Sequence, residues 1–137
     1  MIRFSEVVAG PIPPEHQKNV LELLEKVNKL REAYGKPLRV TSGYRSISKH
    51  LAIYKAKGIT DKSKIPMKSR HLFGLAVDLV PIEDDIKHLH DWILDNIKLC
   101  EEIGLWFEDF AYTEKWCHVQ IVPHSSWKQG RSRFFKP

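Results

Sequence analysis

The chain lacks the features that would place it in a membrane or a disulfide scaffold. No apolar run approaches the roughly 18–20 residues of a membrane span, so no membrane insertion is expected. Only two cysteines, Cys100 and Cys117, occur in 137 residues. Their spacing matches no CxxC redox or zinc signature, and two buried free thiols are expected. The first residues, Met1-Ile2-Arg3-Phe4-Ser5-Glu6, carry neither the basic start nor the apolar core of a secretory signal, which predicts cytoplasmic synthesis. Internal repeats, linkers and low-complexity tracts are missing. So is a tight cluster of arginines and aromatics. The net charge of +5 is spread over scattered lysines, and no nucleic-acid partner is expected. A basic surface of this kind is either simply solvated or suited to an anionic polymer such as a cell wall.

What remains is an ordinary globular composition, 42% hydrophobic and 28% charged, long enough for one domain over residues 1–137. Residues 1–13 read as extended or irregular. Val20, Leu23, Leu24, Val27, Leu30 and Tyr34 fall at helical spacing and predict a helix over 15–34, ended by Gly35 and Pro37. Leu38 to Thr41 reads as a strand and Ser42 to Ser46 as a tight turn. A short helix follows over 47–57, with His50 on it expected to be exposed, as is His16 earlier. Residues 59–70 form a polar loop without period, of the length that often rims a site. Gly74 to Val80 is a predicted strand. One long helix is expected over 83–103, with His88 and His90 structural or exposed. A short strand over 105–107, a polar turn and a strand over 116–122 complete the pattern. Alternation in the last strand sets Cys117, Val119 and Ile121 on one face and Trp116, His118 and Gln120 on the other. Trp127, Phe134 and Phe135 in the tail are expected to pack back on the domain.

The chemistry concentrates around Asp78. An apolar strand rarely carries a charge without a partner. His71 precedes it by one loop, and His118 lies on the polar face of a later strand. Two imidazoles and a carboxylate are the donors of a catalytic zinc with one position left for water. A nearby carboxylate would take the proton of that water, and Glu114 is the nearest in sequence to His118. Core or salt-bridged histidines would account for the same residues. Arg45, on a loop just beyond a strand, could hold a substrate carboxylate through two parallel hydrogen bonds, or sit in a surface salt bridge.

These residues also form a pattern. Ser69-x-His71-x-x-Gly74-x-Ala76-x-Asp78 resembles the signature of the zinc D-Ala-D-Ala peptidases. That family includes D-alanyl-D-alanine carboxypeptidases and dipeptidases and the L-alanyl-D-glutamate endopeptidases of phage lysins, and the hedgehog signalling domain shares its fold. Ser42-Gly43-Tyr44-Arg45-Ser46 and Trp116-x-His118 resemble two further family segments, in family order. The resemblance implies Zn2+ held by His71, Asp78 and His118, with Arg45 on an anionic group of the substrate and Ser69 on its backbone or carboxylate. It implies a small α+β domain, a mostly antiparallel sheet with helices packed on it. The implied activity is hydrolysis of peptidoglycan stem peptides by a monomer of the endolysin kind, released by a bacteriophage or carried in its virion. One departure matters. Many members carry a glutamate three residues before the last histidine, where this chain has Lys115. Other branches place a histidine two before it, where this chain has Trp116. The base is then Glu114, with Asp109 or Glu108 as alternatives brought round by the turn. The displaced glutamate also motivates a second reading, a zinc-containing wall-binding or virion domain without turnover.

Overall fold

A computed structural model describes residues 1–125 and 127–137. Its centre is a five-stranded sheet in the order β1-β2-β4-β3-β5. The strands are β1 Leu38–Ser42, β2 Ala76–Pro81, β3 Trp106–Glu108, β4 Cys117–Gln120 and β5 Phe134–Phe135. All pairings are antiparallel except that of β3 with β5. Helices α1 Phe4–Val7, α2 Pro14–Tyr34, α3 Ile47–Ala56, α4 Ile86–Asp95 and α5 Ile97–Ile103 complete the α+β arrangement. Among the described residues no helix is long and apolar enough to cross a membrane.

Helix α2 is the main support. Pro14 starts it at a position where no backbone donor is lost, and Gly35 ends it in the left-handed region at φ 81°. Val20, Leu23, Val27, Leu30 and Tyr34 are its buried stripe. They meet Val77, Leu79, Val119 and Cys117 from one face of the sheet, together with Leu89 and Ile93 of α4. Burial of this apolar face fixes the register, since a one-residue slip would turn every strand side chain over. The opposite face of β2 and β4 is then free for polar side chains.

Several expectations need correction. Residues 4–7 form a helical turn rather than extended chain. The long helix over 83–103 is two helices. At Asn96 the backbone leaves the α region (φ −119°, ψ 29°), and its side-chain amide donates to the Trp92 carbonyl at 2.8 Å. Asparagine competes with the helix for its own backbone bonds in this way. The strand predicted from Gly74 begins at Ala76, because residues 70–73 form a 3-10 turn closed by Gly74 at φ 72°. His50 is fully buried, and His16 is half-buried between Tyr44 and Phe73.

Both cysteines are buried and free, as expected. Burial pushes the Cys100 thiol up to about 12 and raises that of Cys117 well above its ordinary value, so neither is a nucleophile. The tail packs back as expected. Phe134 stacks on Phe107, and Arg133 lies 4.0 Å from the Trp106 ring and 5.0 Å from that of Trp127. Backbone bonds from Phe107 N to the Arg133 carbonyl (2.9 Å) and from Asp109 N to the Phe135 carbonyl (2.7 Å) fasten it to β3.

Candidate metal centre

The sheet register assembles the site. Ser42 of β1 lies opposite Asp78 of β2, and Asp78 lies opposite His118 of β4. Thr41 is the extra residue of a bulge in β1, since Val40 pairs with Leu79 and Ser42 with Asp78. A bulge re-aims the chain that follows it. Here that chain is the Ser42–Ser46 loop, which is turned toward His71: Arg45 N donates to the His71 carbonyl at 3.0 Å.

His71, Asp78 and His118 each offer one ligand atom, all within 4.8 Å of one another. The outer partners determine which atoms face inward. His71 Nδ1 donates to the Gly43 carbonyl at 2.9 Å, which leaves Nε2 turned to Asp78 at 3.4 Å. Gln120 donates from Nε2 to the Val122 carbonyl, so its Oε1 is left to accept from His118 Nε2 at 2.9 Å. His118 Nδ1 therefore points at Asp78 Oδ1, 2.9 Å away. Two lone-pair atoms this close require a proton or a cation between them. Burial opposes charge on both groups, yet the opposite effect prevails. Hydrogen bonds and charge from His118 and His71 hold the Asp78 carboxyl well below the usual carboxylate range, and Asp78 raises the His118 imidazole above its usual value. The donor set, the fixed tautomers and the outer hydrogen bonds fit zinc.

Gly43 shows why the loop tolerates no side chain. A Cβ there would meet the Val7 carbonyl oxygen at 2.3 Å. That contact is backbone against backbone, because Tyr44 N donates to the same Val7 carbonyl at 2.9 Å. Gly43→Ala is expected to displace the loop whose carbonyl holds His71. Zinc affinity should drop about 10–100-fold, the range seen when an outer partner of a metal ligand is lost. Competition with a chromophoric chelator measures it, and unchanged affinity would refute this role of the loop.

His71, Asp78 and His118 open into a cleft of about 810 Å³. Arg45, Ser69 and Glu108 line it, whereas Glu114 and Asp109 do not. Glu114 is solvent-exposed, carried outward by the turn after β3, in which Thr113 is fully buried instead. Asp109 accepts from Ala111 N at 2.9 Å and caps that turn. Glu108 is the carboxylate the fold brings in. Phe107 is paired with Val119, so the next step along the antiparallel pair sets Glu108 beside His118, on the side away from the core. Burial raises the Glu108 carboxyl, with His118 opposing and Asp78 adding. Arg45 is pre-aimed: Nε and Nη2 donate to Ser42 Oγ at 3.1 and 2.9 Å. His50, unforeseen in this role, lies with Nδ1 3.5 Å from Arg45 Nη1 while Nε2 donates to the Pro66 carbonyl at 3.0 Å.

Residues 3–120 match the family model described as Peptidase M15. The chain belongs to the peptidase M15 family. No curated protein matches it. Two solved structures are similar, both with a TM-score of 0.48. One is VanYB in complex with D-alanine-D-alanine, at 24% identity over 75% of this chain and 70% of that one. The other is a mutant of the vancomycin-resistance D,D-pentapeptidase VanY, from the VanB-type resistance cassette, in complex with Zn(II). It is 21% identical over 88% of this chain and 89% of that one. The M15 match spans every residue of the cleft described above except those of the C-terminal wall after Gln120.

Proposed function

We propose that residues 1–137 form a zinc-dependent peptidase domain that hydrolyses stem peptides of bacterial peptidoglycan, as a carboxypeptidase or an endopeptidase on bonds flanked by D-amino acids. The observation that carries this reading is the convergence of His71, Asp78 and His118 at the floor of a cleft that also holds Glu108. His71 Nε2, His118 Nδ1 and the Asp78 carboxylate would hold the metal. The chemistry that zinc supplies when bound is Lewis-acid polarisation of a peptide carbonyl and of water.

The chain's own residues supply the rest. Glu108 accepts the proton of the attacking water and passes it to the leaving amine. Its half-buried position favours such a shuttle, since a carboxylate whose pKa is raised by burial is a stronger base and takes the proton of water more readily than an exposed one. Arg45 keeps N–H donors toward the cleft after its contacts with Ser42, and these suit a substrate carboxylate. Ser69 Oγ lines the cleft with no protein partner among the described residues, and it serves the substrate backbone. A wall-binding domain without turnover drew its support from a missing glutamate; a carboxylate from β3 in the cleft favours the enzyme.

Incubation with purified muropeptides, followed by mass spectrometry, tests the proposal. We expect cleaved stems with zinc, none after chelation, and recovery on adding zinc back. The masses distinguish a D-Ala–D-Ala cut from an Ala–Glu cut. Cleavage that persists without metal, or binding without product at full zinc occupancy, would sink it.

A further inference from the structure

The cleft carries more positive charge than hydrolysis needs. Arg45, Lys57, Lys68, Arg70 and Lys136 line it, against the carboxylates of Asp78 and Glu108. Asp78 is committed to the two imidazoles. Every ion pair of a lysine or arginine among the described residues lies elsewhere, on Lys26, Lys29, Lys36 and Lys87. Two of the five cations have other partners: Arg45 is tethered by Ser42, and Lys57 lies 5.1 Å from the centre of the Tyr54 ring.

Arg70 stands apart from them. It lies immediately before the ligand His71, in the 3-10 turn that aims that imidazole. Its side chain is half-buried in the cleft wall, and its guanidinium has no acceptor among the described residues. A guanidinium is a planar fork of donors that matches a carboxylate with two parallel bonds. Arg133, by contrast, is occupied within the fold: it lies over the Trp106 and Trp127 rings and donates from Nη1 to the Leu105 carbonyl at 3.5 Å. Arg70 lines the same cleft as His71, Asp78 and His118. Lys68, two residues earlier, lines the same cleft and is likewise without an acceptor among the described residues.

We propose that Arg70, with Lys68 beside it in the chain, forms a second carboxylate-binding subsite, separate from that of Arg45. This rests on the peptidase reading and deepens it. The preferred substrate is then a peptide with an internal free carboxylate in addition to the one Arg45 takes. Lys57 and Lys136 add to the field that draws such a dianion in.

Two synthetic peptides test the subsite on the zinc-loaded protein. They share sequence and scissile bond and differ at one internal γ-linked D-glutamyl residue, with its α-carboxyl free in one and amidated in the other. We expect kcat/KM about tenfold higher for the free acid, the size of one charge-assisted contact in a wet site. Arg70→Gln should bring the ratio close to one while zinc content stays unchanged. Arg70→Lys, which keeps the charge and loses the fork, should restore part of it. Equal rates in the unmodified protein, or a ratio that survives Arg70→Gln, overturn the subsite. If neither peptide is cut at full zinc occupancy, it is the peptidase reading that fails. The ratio of dissociation constants for the same two peptides, by calorimetry, then decides the subsite on the same criteria.

Discussion

Glu108→Gln should lower kcat of the zinc-loaded protein about 10²–10⁴-fold, the usual contribution of a positioned general base, while Glu114→Gln stays within about twofold. The contrast follows from position alone. Glu108 lies beside His118 on the polar face of the sheet and lines the cleft; Glu114 is exposed on the turn beyond it. Glutamine keeps the volume and the hydrogen-bonding oxygen of Glu108 but accepts no proton. Zinc content should therefore hold, because Glu108 is not among the three donor residues. Affinity for substrate should hold as well, so the loss appears in kcat and in kcat/KM alike, as for a group that acts only in the transition state. Single-turnover hydrolysis of a stem peptide, with zinc measured on the same samples, separates these quantities. An inactive Glu114→Gln beside an active Glu108→Gln would reverse the assignment and return the base to the turn.

How far this site was legible depends on the distance over which each signal acts. The convergence of His71, Asp78 and His118 was readable because the signals for it are local. His71, Gly74, Ala76 and Asp78 form one short segment, and the alternation of β4 placed His118 on the polar face without knowledge of its neighbours. Helix α2 was legible for the same reason, through the spacing of Val20, Leu23, Val27 and Leu30. Glu108 stood only as an alternative to Glu114, because its place beside His118 is a property of strand pairing. Nothing near Glu108 in the chain encodes the register of β3 against β4. Sequence proximity pointed to Glu114 instead, and proximity along a turn says little about which way a side chain faces. His50 was misjudged for a related reason. Its burial comes from Arg45, Tyr54 and the Pro66 carbonyl, and Pro66 belongs to the loop over 59–70, whose course has no periodic signature. The break at Asn96 was hidden because an apolar spacing from Ile86 to Ile103 survives one irregular residue.

The largest effect of all is expected at Asp78. Asp78→Asn should weaken zinc binding by more than about 100-fold, beyond the 10–100-fold that follows loss of an outer partner, and should abolish hydrolysis with it. The carboxylate is the one anionic donor of the three, and two neutral imidazoles leave the charge of the cation unopposed. Asparagine preserves shape, so the fold should remain. The metal-free protein supplies an independent readout. In it, Asp78 is held below its ordinary value although burial pushes the other way, because His118 and His71 bond to the carboxylate. The folded state thus binds this proton less tightly than the unfolded chain does. That contribution to stability is present above about pH 4, where an unfolded aspartate is ionised, and is lost as the pH falls below it. His118 is shifted up by the same contact, so its share is present below about pH 6.5 and disappears as the pH rises through the folded value. The pair therefore stabilises the metal-free fold most between those limits, and Asp78→Asn should flatten that maximum. Thermal melts from pH 3 to pH 8 in a chelator, on both proteins, measure it. A variant that keeps zinc, or a metal-free pH profile identical to the unmodified protein, would remove Asp78 from the centre of the site.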